Sequence, residues 1–342
     1  IYALDGRVDQ AIALYTAEIA GGELDSLTLA RYHAALGRLY AGEGQSNEAL
    51  LAYQRARALN ARLPASWLGV ANLHQAEGQI DRALAELERA QIATGGSMDV
   101  QLSLASTLMQ AGENRRALEL LNRLAGSYPG NLRVHLALAA ALLDQDYAAE
   151  AEAVLLRMGD LNPASSEVWT QLGSLYVTQG RFADAERLFA RAIERDQDAL
   201  EPRLALGALL TSRGRFDEAI ALYEETLGVQ PQNQRVYLAL AAVHQTLGQP
   251  ARAEQLLTWA AEIDQSAAEP LLALARLHAE QGRFDEQQTA LDRAVSRAPG
   301  SLAVRQARAA VFRGRGQADL ALAELERAAA DNPQSLEAQL AL

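Results

Sequence analysis

The sequence predicts an all-α fold built of stacked helix–turn–helix repeats. Three observations predict it: a helix-favouring composition, a motif that returns at one fixed interval, and helical apolar spacing between the fixed positions of that motif. Of the 342 residues 49% are hydrophobic while only 5% are aromatic, and Ala and Leu supply most of the apolar total. Both residues have high helix propensity. A chain this long exceeds one ordinary core, so it needs either several domains or a repeat architecture.

The repeat decides between these alternatives. Ala11, Ala49, Ala83, Ala117, Ala151, Ala185, Ala219, Ala253, Gln287 and Ala321 serve as anchors, and from Ala49 onward the interval between them never changes. The first interval, Ala11 to Ala49, is longer, and its four extra residues are expected in the polar, glycine-containing stretch Gly21–Ser26. Five residues before the anchors stand Gly6, Gly44, Gly78, Gly112, Asp146, Gly180, Gly214, Gly248, Gly282 and Gly316. Glycine at nine of ten such places marks a turn with a left-handed backbone, as at a helix C-terminus.

Twelve before the anchors only Gly or Ala occurs, from Gly37 and Ala71 to Ala309, so two helix backbones approach closely there. Four after the anchors come only Tyr, Phe or Leu, from Tyr15 and Tyr53 to Leu325, and these fill the space the small residues leave. Pro129, Pro163, Pro231, Pro299 and Pro333 fall twelve after their anchors, where proline ends one helix and opens the next. Between these marks Val134, Leu138 and Leu142 recur at the spacing of one helix face. Asp9, Asn47, Asp81, Asp217, Asp285 and Asp319 follow the glycine turn and are expected to cap the second helix. Each repeat is thus a first helix, a tight turn, a second helix and a short linker. Neither helix buries its apolar face alone, so neighbours stack.

These residues resemble the tetratricopeptide repeat (TPR) family, whose signature spaces Trp, Leu-Gly, Tyr, Gly, Ala, Phe or Tyr, Ala and Pro over about 34 residues. The best match is Trp169, Leu172-Gly173, Tyr176, Gly180, Ala185, Phe189 and Ala192, with Gln197 at the proline position. The resemblance implies a right-handed superhelical solenoid over the whole of 1–342. It divides into a partial repeat 1–29, nine complete repeats 30–335 and the start of a further repeat 336–342. Asp146 at a turn glycine, Gln287 at an anchor and Arg308 in an aliphatic column are expected to weaken single repeats.

No catalytic or cofactor site emerges, and the chain reads as a non-enzyme. Cysteine is absent, which removes disulfides and thiol chemistry. His74, His244 and His278 occupy one packing column of the repeat, and His33 and His135 another, so the five histidines do not gather for a metal. Carboxylates recur with the period and read as solvated helix faces. No Gly-x-Ser-x-Gly elbow or glycine-rich phosphate loop is present. A net charge of −12 with no Lys opposes nucleic acid and anionic lipid. The longest apolar run, Leu136–Leu143, is too short for membrane insertion. No signal peptide is visible, and nothing in the composition assigns a compartment.

The resemblance implies that the first helices line a concave partner-binding surface. The columns expected there give Leu68, Leu102, Leu136, Ala140, Leu143, Leu204, Ala208, Leu238, Ala242 and Leu272, an apolar shallow middle with Arg38, Arg276 and Arg313 toward the ends. Such a groove suits an amphipathic helix or an extended apolar segment. The same leucines would also serve to pack first helix on first helix. The expected partners are proteins or peptides, copies of the same chain among them. Head-to-tail stacking would use Ile1, Tyr2, Leu340 and Leu342, which fall in complementary half-helices, unless the chain is a window cut from a longer array. The expected role is a bacterial interaction or assembly scaffold. Its rivals are a TPR arm of a larger enzyme, such as a glycosyltransferase or a signalling protein, and a periplasmic adaptor in exopolysaccharide or pilus export.

Overall fold

The structure is a computed structural model that describes residues 8–22, 24–331 and 339. Among these residues every regular element is an α-helix, nineteen in all. The second helices of the repeats are α1 (Val8–Ala20), α3 (Ser46–Leu59), α5 (Ile80–Ala93), α7 (Asn114–Ser127), α9 (Ala148–Leu161), α11 (Phe182–Arg195), α13 (Phe216–Val229), α15 (Pro250–Ile263), α17 (Phe284–Arg297) and α19 (Ala318–Asp331). The first helices are α2 (Ser26–Gly42), α4 (Pro64–Ala76), α6 (Met98–Gln110), α8 (Leu132–Asp144), α10 (Ser166–Thr178), α12 (Leu200–Ser212), α14 (Gln234–Thr246), α16 (Glu269–Glu280) and α18 (Leu302–Gly314). From α3 onward the second helices begin at one constant interval, which is the period of the anchors.

The chain divides into two compact units, Ile1–Leu161 and Asn162–Leu342. Within each unit every helix packs on the next, and first helices also touch across repeats, as α4 does α6 and α12 does α14.

The turn glycines do what their column requires. Gly44, Gly78, Gly112, Gly180, Gly214, Gly248, Gly282 and Gly316 all have φ between 67° and 75°. After α10, Gly180 N donates to Val177 O at 3.0 Å and Arg181 N donates to Tyr176 O at 2.8 Å. This pair of bonds closes a Schellman motif and satisfies two carbonyls that the helix end leaves open. Asp146 sustains the same turn at φ 61°, the one non-glycine residue in this region among the described residues.

Two local expectations are corrected. The residue after the glycine, such as Gln79, Arg181 or Arg215, is itself the N-cap of the second helix, and its side chain makes no capping bond. The acidic residues expected as caps, Asp81 and Asp217 among them, sit inside the first helical turn. There they face the positive end of the helix dipole instead of bonding an N–H. The reason is that a Schellman turn hands the chain straight into the next helix. Side-chain caps appear where the linker is extended: Asp25 Oδ1 accepts from Leu27 N and Thr28 N, and Asn131 Oδ1 accepts from Val134 N. The four extra residues of the first interval also lie elsewhere than expected. They lengthen α2, which has 17 residues where α4 has 13. Four residues are close to one turn, so the helix keeps its buried face in register.

The core of each repeat is a matched pair sixteen residues apart. Where the small column is Gly, its partner is aromatic: Gly37 with Tyr53, Gly173 with Phe189, Gly207 with Tyr223. A Cβ on Gly173 would stand 2.6 Å from the Phe189 ring, and one on Gly207 only 2.3 Å from that of Tyr223. Where the small column is Ala, the partner is Leu, as in Ala71 with Leu87 or Ala105 with Leu121, all buried. Volume is conserved across the pair, as close packing demands.

A second pairing pins the linkers. In four repeats the residue sixteen before the anchor is a hydrogen-bond donor that reaches back six residues. Trp67 Nε1 donates to Ala61 O, Trp169 Nε1 to Pro163 O, Arg203 Nη2 to Gln197 O and Tyr237 Oη to Pro231 O, at 2.8 to 3.2 Å. In three of them the residue six after the anchor covers the donor: Arg191 lies 3.7 Å over the Trp169 ring, Glu225 pairs with Arg203 at 3.1 Å, and Trp259 meets Tyr237 edge to face, while Trp67 is covered by Arg57 of the preceding helix at 3.7 Å.

The last described repeat departs from this apolar plan. Arg308 stands where other repeats have an aliphatic residue, and Glu324 answers it across the helix pair. Glu324 is 3% exposed and also bonds Arg305 at 3.2 Å, so α18 and α19 share a buried ionic centre.

Candidate functional site

The histidines are accounted for by their own repeats. His74 Nδ1 lies 3.1 Å from Gln79 Oε1, His244 Nδ1 2.6 Å from Gln249 Oε1, and His135 Nδ1 2.9 Å from Asn131 O. Burial pushes His33 and His278 below the ordinary histidine value, which favours the neutral ring. Among the described residues no three His, Asp or Glu side chains converge as a metal would require.

The face of the first helices is open, and its three columns differ in depth. Eleven before the anchors every side chain is exposed: Arg38, Asn72, Ser106 and Ala140 in the first unit, Ser174, Ala208, Ala242, Arg276 and Ala310 in the second. The flanking leucines are half-buried. In the first unit Leu68 and Leu102 pack on the core while Leu136 and Leu143 are partly open, and Gln75 ties α4 to α6 through Thr107 Oγ1 at 2.9 Å. In the second unit Leu204, Leu238 and Leu272 pack on the core beside the exposed Ala208 and Ala242. The leucines therefore divide their surface between helix packing and solvent, and the alanines form the floor that a ligand would touch. Ile1, Tyr2, Leu340 and Leu342 lie outside the described residues.

An apolar recess on this face lies where the sequence departs from its pattern. A crevice of about 410 Å³ opens among α16, α17 and α18, lined by Ala279, Phe284, Gln287, Ala307, Ala310, Val311, Gly314 and Arg315. Ala279 and Ala310 belong to the columns just described. Gln287, the one anchor that is not alanine, lines the crevice. At the other anchors described, alanine is 0 to 7% exposed in the contact between the helices, and a Gln side chain cannot enter that contact. Beside it Phe284 is 57% exposed. At the corresponding place in an earlier repeat, the ring of Phe182 has Arg213 over it at 4.8 Å, whereas Arg315 is drawn aside to donate to Phe284 O at 2.8 Å. Sequence reasoning found the columns and missed the crevice, although Gln287 was its visible signal.

Family profiles described as tetratricopeptide repeat match residues 108–175 and 210–266, residues 170–234, and residues 268–311. The chain belongs to the tetratricopeptide repeat family. Its paired helices and the glycine turns between them are the TPR unit in atomic detail. Among solved structures, a tetratricopeptide repeat protein from Parabacteroides merdae is similar at a TM-score of 0.50 and 15% identity, over 76% of this chain and 98% of that one. A Pseudomonas aeruginosa pilF structure is similar at a TM-score of 0.45 and 17% identity, over 60% of this chain and 94% of that one. The comparison with curated proteins finds no match. TPR domains generally mediate protein–protein interaction, and no catalytic domain is identified in this chain. Among the described residues no helix is long and apolar enough to cross a membrane.

Proposed function

We propose that this TPR chain is a non-catalytic interaction module whose first-helix face receives an amphipathic helix of a partner protein. The observation that carries the reading is the crevice of α16–α18, where Phe284, Ala307, Ala310 and Val311 offer an apolar seat on a face of alanine and polar side chains. One large aliphatic or aromatic side chain of the partner fills it, and its neighbours at helical spacing lie over Ala310 and Ala279. The exposed Arg276 and Arg313 on the same columns favour an acidic residue on the partner helix beside the apolar anchor. Burying the seat against a partner side chain supplies about 1.5–3 kcal/mol at this point, the size expected of an interface anchor.

The experiment is a display selection of helical peptides against the full chain, followed by binding to variants. Ala310→Glu places a charge on the crevice wall at an exposed site and is expected to weaken the selected peptide at least about tenfold. Gln287→Ala restores the anchor and narrows the crevice, and it is expected to weaken binding while raising stability. Unchanged affinity in both variants overturns the proposal.

A further inference from the structure

A second recess lies on a different side of the second unit, at the linker between α13 and α14. It encloses about 430 Å³ and is lined by Pro231, Gln232, Tyr237, Trp259, Glu262 and Ile263. Its character comes from one departure in the repeat. Six after the anchors, seven of the ten repeats carry Arg, whereas Trp259 stands in this one. The ring meets Tyr237 at 6.1 Å between centroids and 71° between planes, so the two aromatics form a right-angled corner.

Contacts within the chain brace the corner. Tyr237 Oη is held by Pro231 O at 3.2 Å, and Arg252 lies 5.6 Å from the Trp259 ring. Little side-chain freedom is then lost on binding. Two polar groups of the recess remain unused. Trp67 and Trp169 donate their indole N–H groups to their own linkers, but that linker carbonyl is here taken by Tyr237, and Trp259 Nε1 has no partner among the described residues. The exposed Glu262 carboxylate likewise has no ion pair among the described residues, and no basic side chain lines the recess.

We infer that this corner binds a proline-rich segment of a partner protein that carries an arginine or lysine. Three side chains of the recess each select a feature of that ligand. The rings of Tyr237 and Trp259 accept prolyl rings, which lose no backbone freedom because proline already fixes the extended helix. The Trp259 indole donates to a carbonyl of the segment, an acceptor that proline-rich chains leave unpaired. Glu262 accepts from the ligand's cationic side chain. The open recess suits a chain that passes through it. This site shares no lining residue with the crevice of α16–α18.

The test uses a fluorescein-labelled peptide of repeated Pro-Pro-Arg triplets and the full chain, read by anisotropy and by Trp emission. Saturable binding is expected, and the same peptide with Ala for Pro is expected to bind at least about tenfold more weakly. Trp259→Arg installs the residue that most repeats carry and is expected to abolish binding at unchanged helix content. Glu262→Gln is expected to weaken the peptide about threefold and to leave a Pro-Pro-Ala peptide unaffected. Should Trp259→Arg disturb the fold, Glu262→Arg at an exposed position repeats the test, with loss of the Pro-Pro-Arg peptide expected. No saturation up to millimolar peptide, equal binding of the alanine peptide, or full binding by a folded Trp259→Arg chain overturns the inference.

Discussion

Gly207 and Tyr223 give the sharpest test of how the repeat is packed. A methyl group added at Gly207 would lie 2.3 Å from Tyr223 Cζ and 2.5 Å from its hydroxyl, far inside contact distance. Tyr223 is 2% exposed and packs in a close-packed core. Overpacking of this kind costs about 1–3 kcal/mol, while glycine to alanine in a helix returns about 1 kcal/mol of propensity. An approach of 2.3 Å puts the cost in the upper part of that range, so Gly207→Ala is expected to destabilise by a net of about 1–2 kcal/mol. Tyr223→Leu alone leaves a void and costs about 2–3 kcal/mol. The double variant recreates the Ala–Leu pair of Ala71 with Leu87, and its loss should fall below the sum of the two by about 2 kcal/mol. Gly228→Ala is the control: nothing lies within 4 Å of its added methyl, so it should stabilise slightly. The assay is urea unfolding followed by far-UV circular dichroism, with hydrogen exchange to localise the change to α12 and α13. A harmless Gly207→Ala, or strictly additive losses in the double variant, would refute the volume pairing.

Asp146→Gly should stabilise by about 1 kcal/mol, because aspartate pays for its left-handed backbone and glycine does not; a loss of stability in urea unfolding would contradict it. Tyr176→Ala removes a buried ring that touches Arg181 at 3.5 Å and should cost about 3–5 kcal/mol, with faster hydrogen exchange first in α10 and α11 and not uniformly along the chain. In the ionic centre of α18 and α19, Arg308 and Arg305 hold the Glu324 carboxyl below its ordinary value against the opposing effect of burial. Its contribution is thus complete above the unfolded carboxylate value and is lost as pH falls through the lower folded one. Hydrogen exchange in α18–α19 should accelerate in that acid window, and Glu324→Gln should remove the dependence; an unchanged profile in the variant would refute the assignment. Replacing Arg305, Arg308 and Glu324 together by Leu should be neutral or stabilising, whereas Glu324→Ala alone takes from both arginines the buried partner they share and should cost about 3–5 kcal/mol.

The fold was legible because one recurring pattern fixes both helices, their turn and their contact. The period placed the glycine turns, and the small and large columns placed the core pairs, because each rests on local geometry repeated many times. Capping was misjudged for a related reason. Asp81 and Asp217 are good caps in isolation, but the Schellman turn sets the cap two residues earlier, at Gln79 and Arg215. The extra turn of α2 was hidden because Gly21 and Gly22 drew the insertion toward the loop, while Asp25 capped a longer helix. The candidate face was legible as columns and illegible in depth. Whether Leu204 or Leu238 is packed or open depends on distances between neighbouring helices, which a pattern does not contain. The crevice and the aromatic corner arise from single departures, Gln287 and Trp259, and a departure gains meaning only from the residues that surround it in space.

Photo-crosslinking of the display-selected helical peptide tests the central claim most directly. A photoreactive residue is placed in turn at Ala208, Ala242 and Ala310 on the first helices and at Ala190 and Ala221 on the second helices, all exposed positions. Crosslinks are expected from Ala310, with Ala242 next, and none from Ala190 or Ala221. Crosslinks confined to Ala190 and Ala221 would place the partner on the second helices and contradict it.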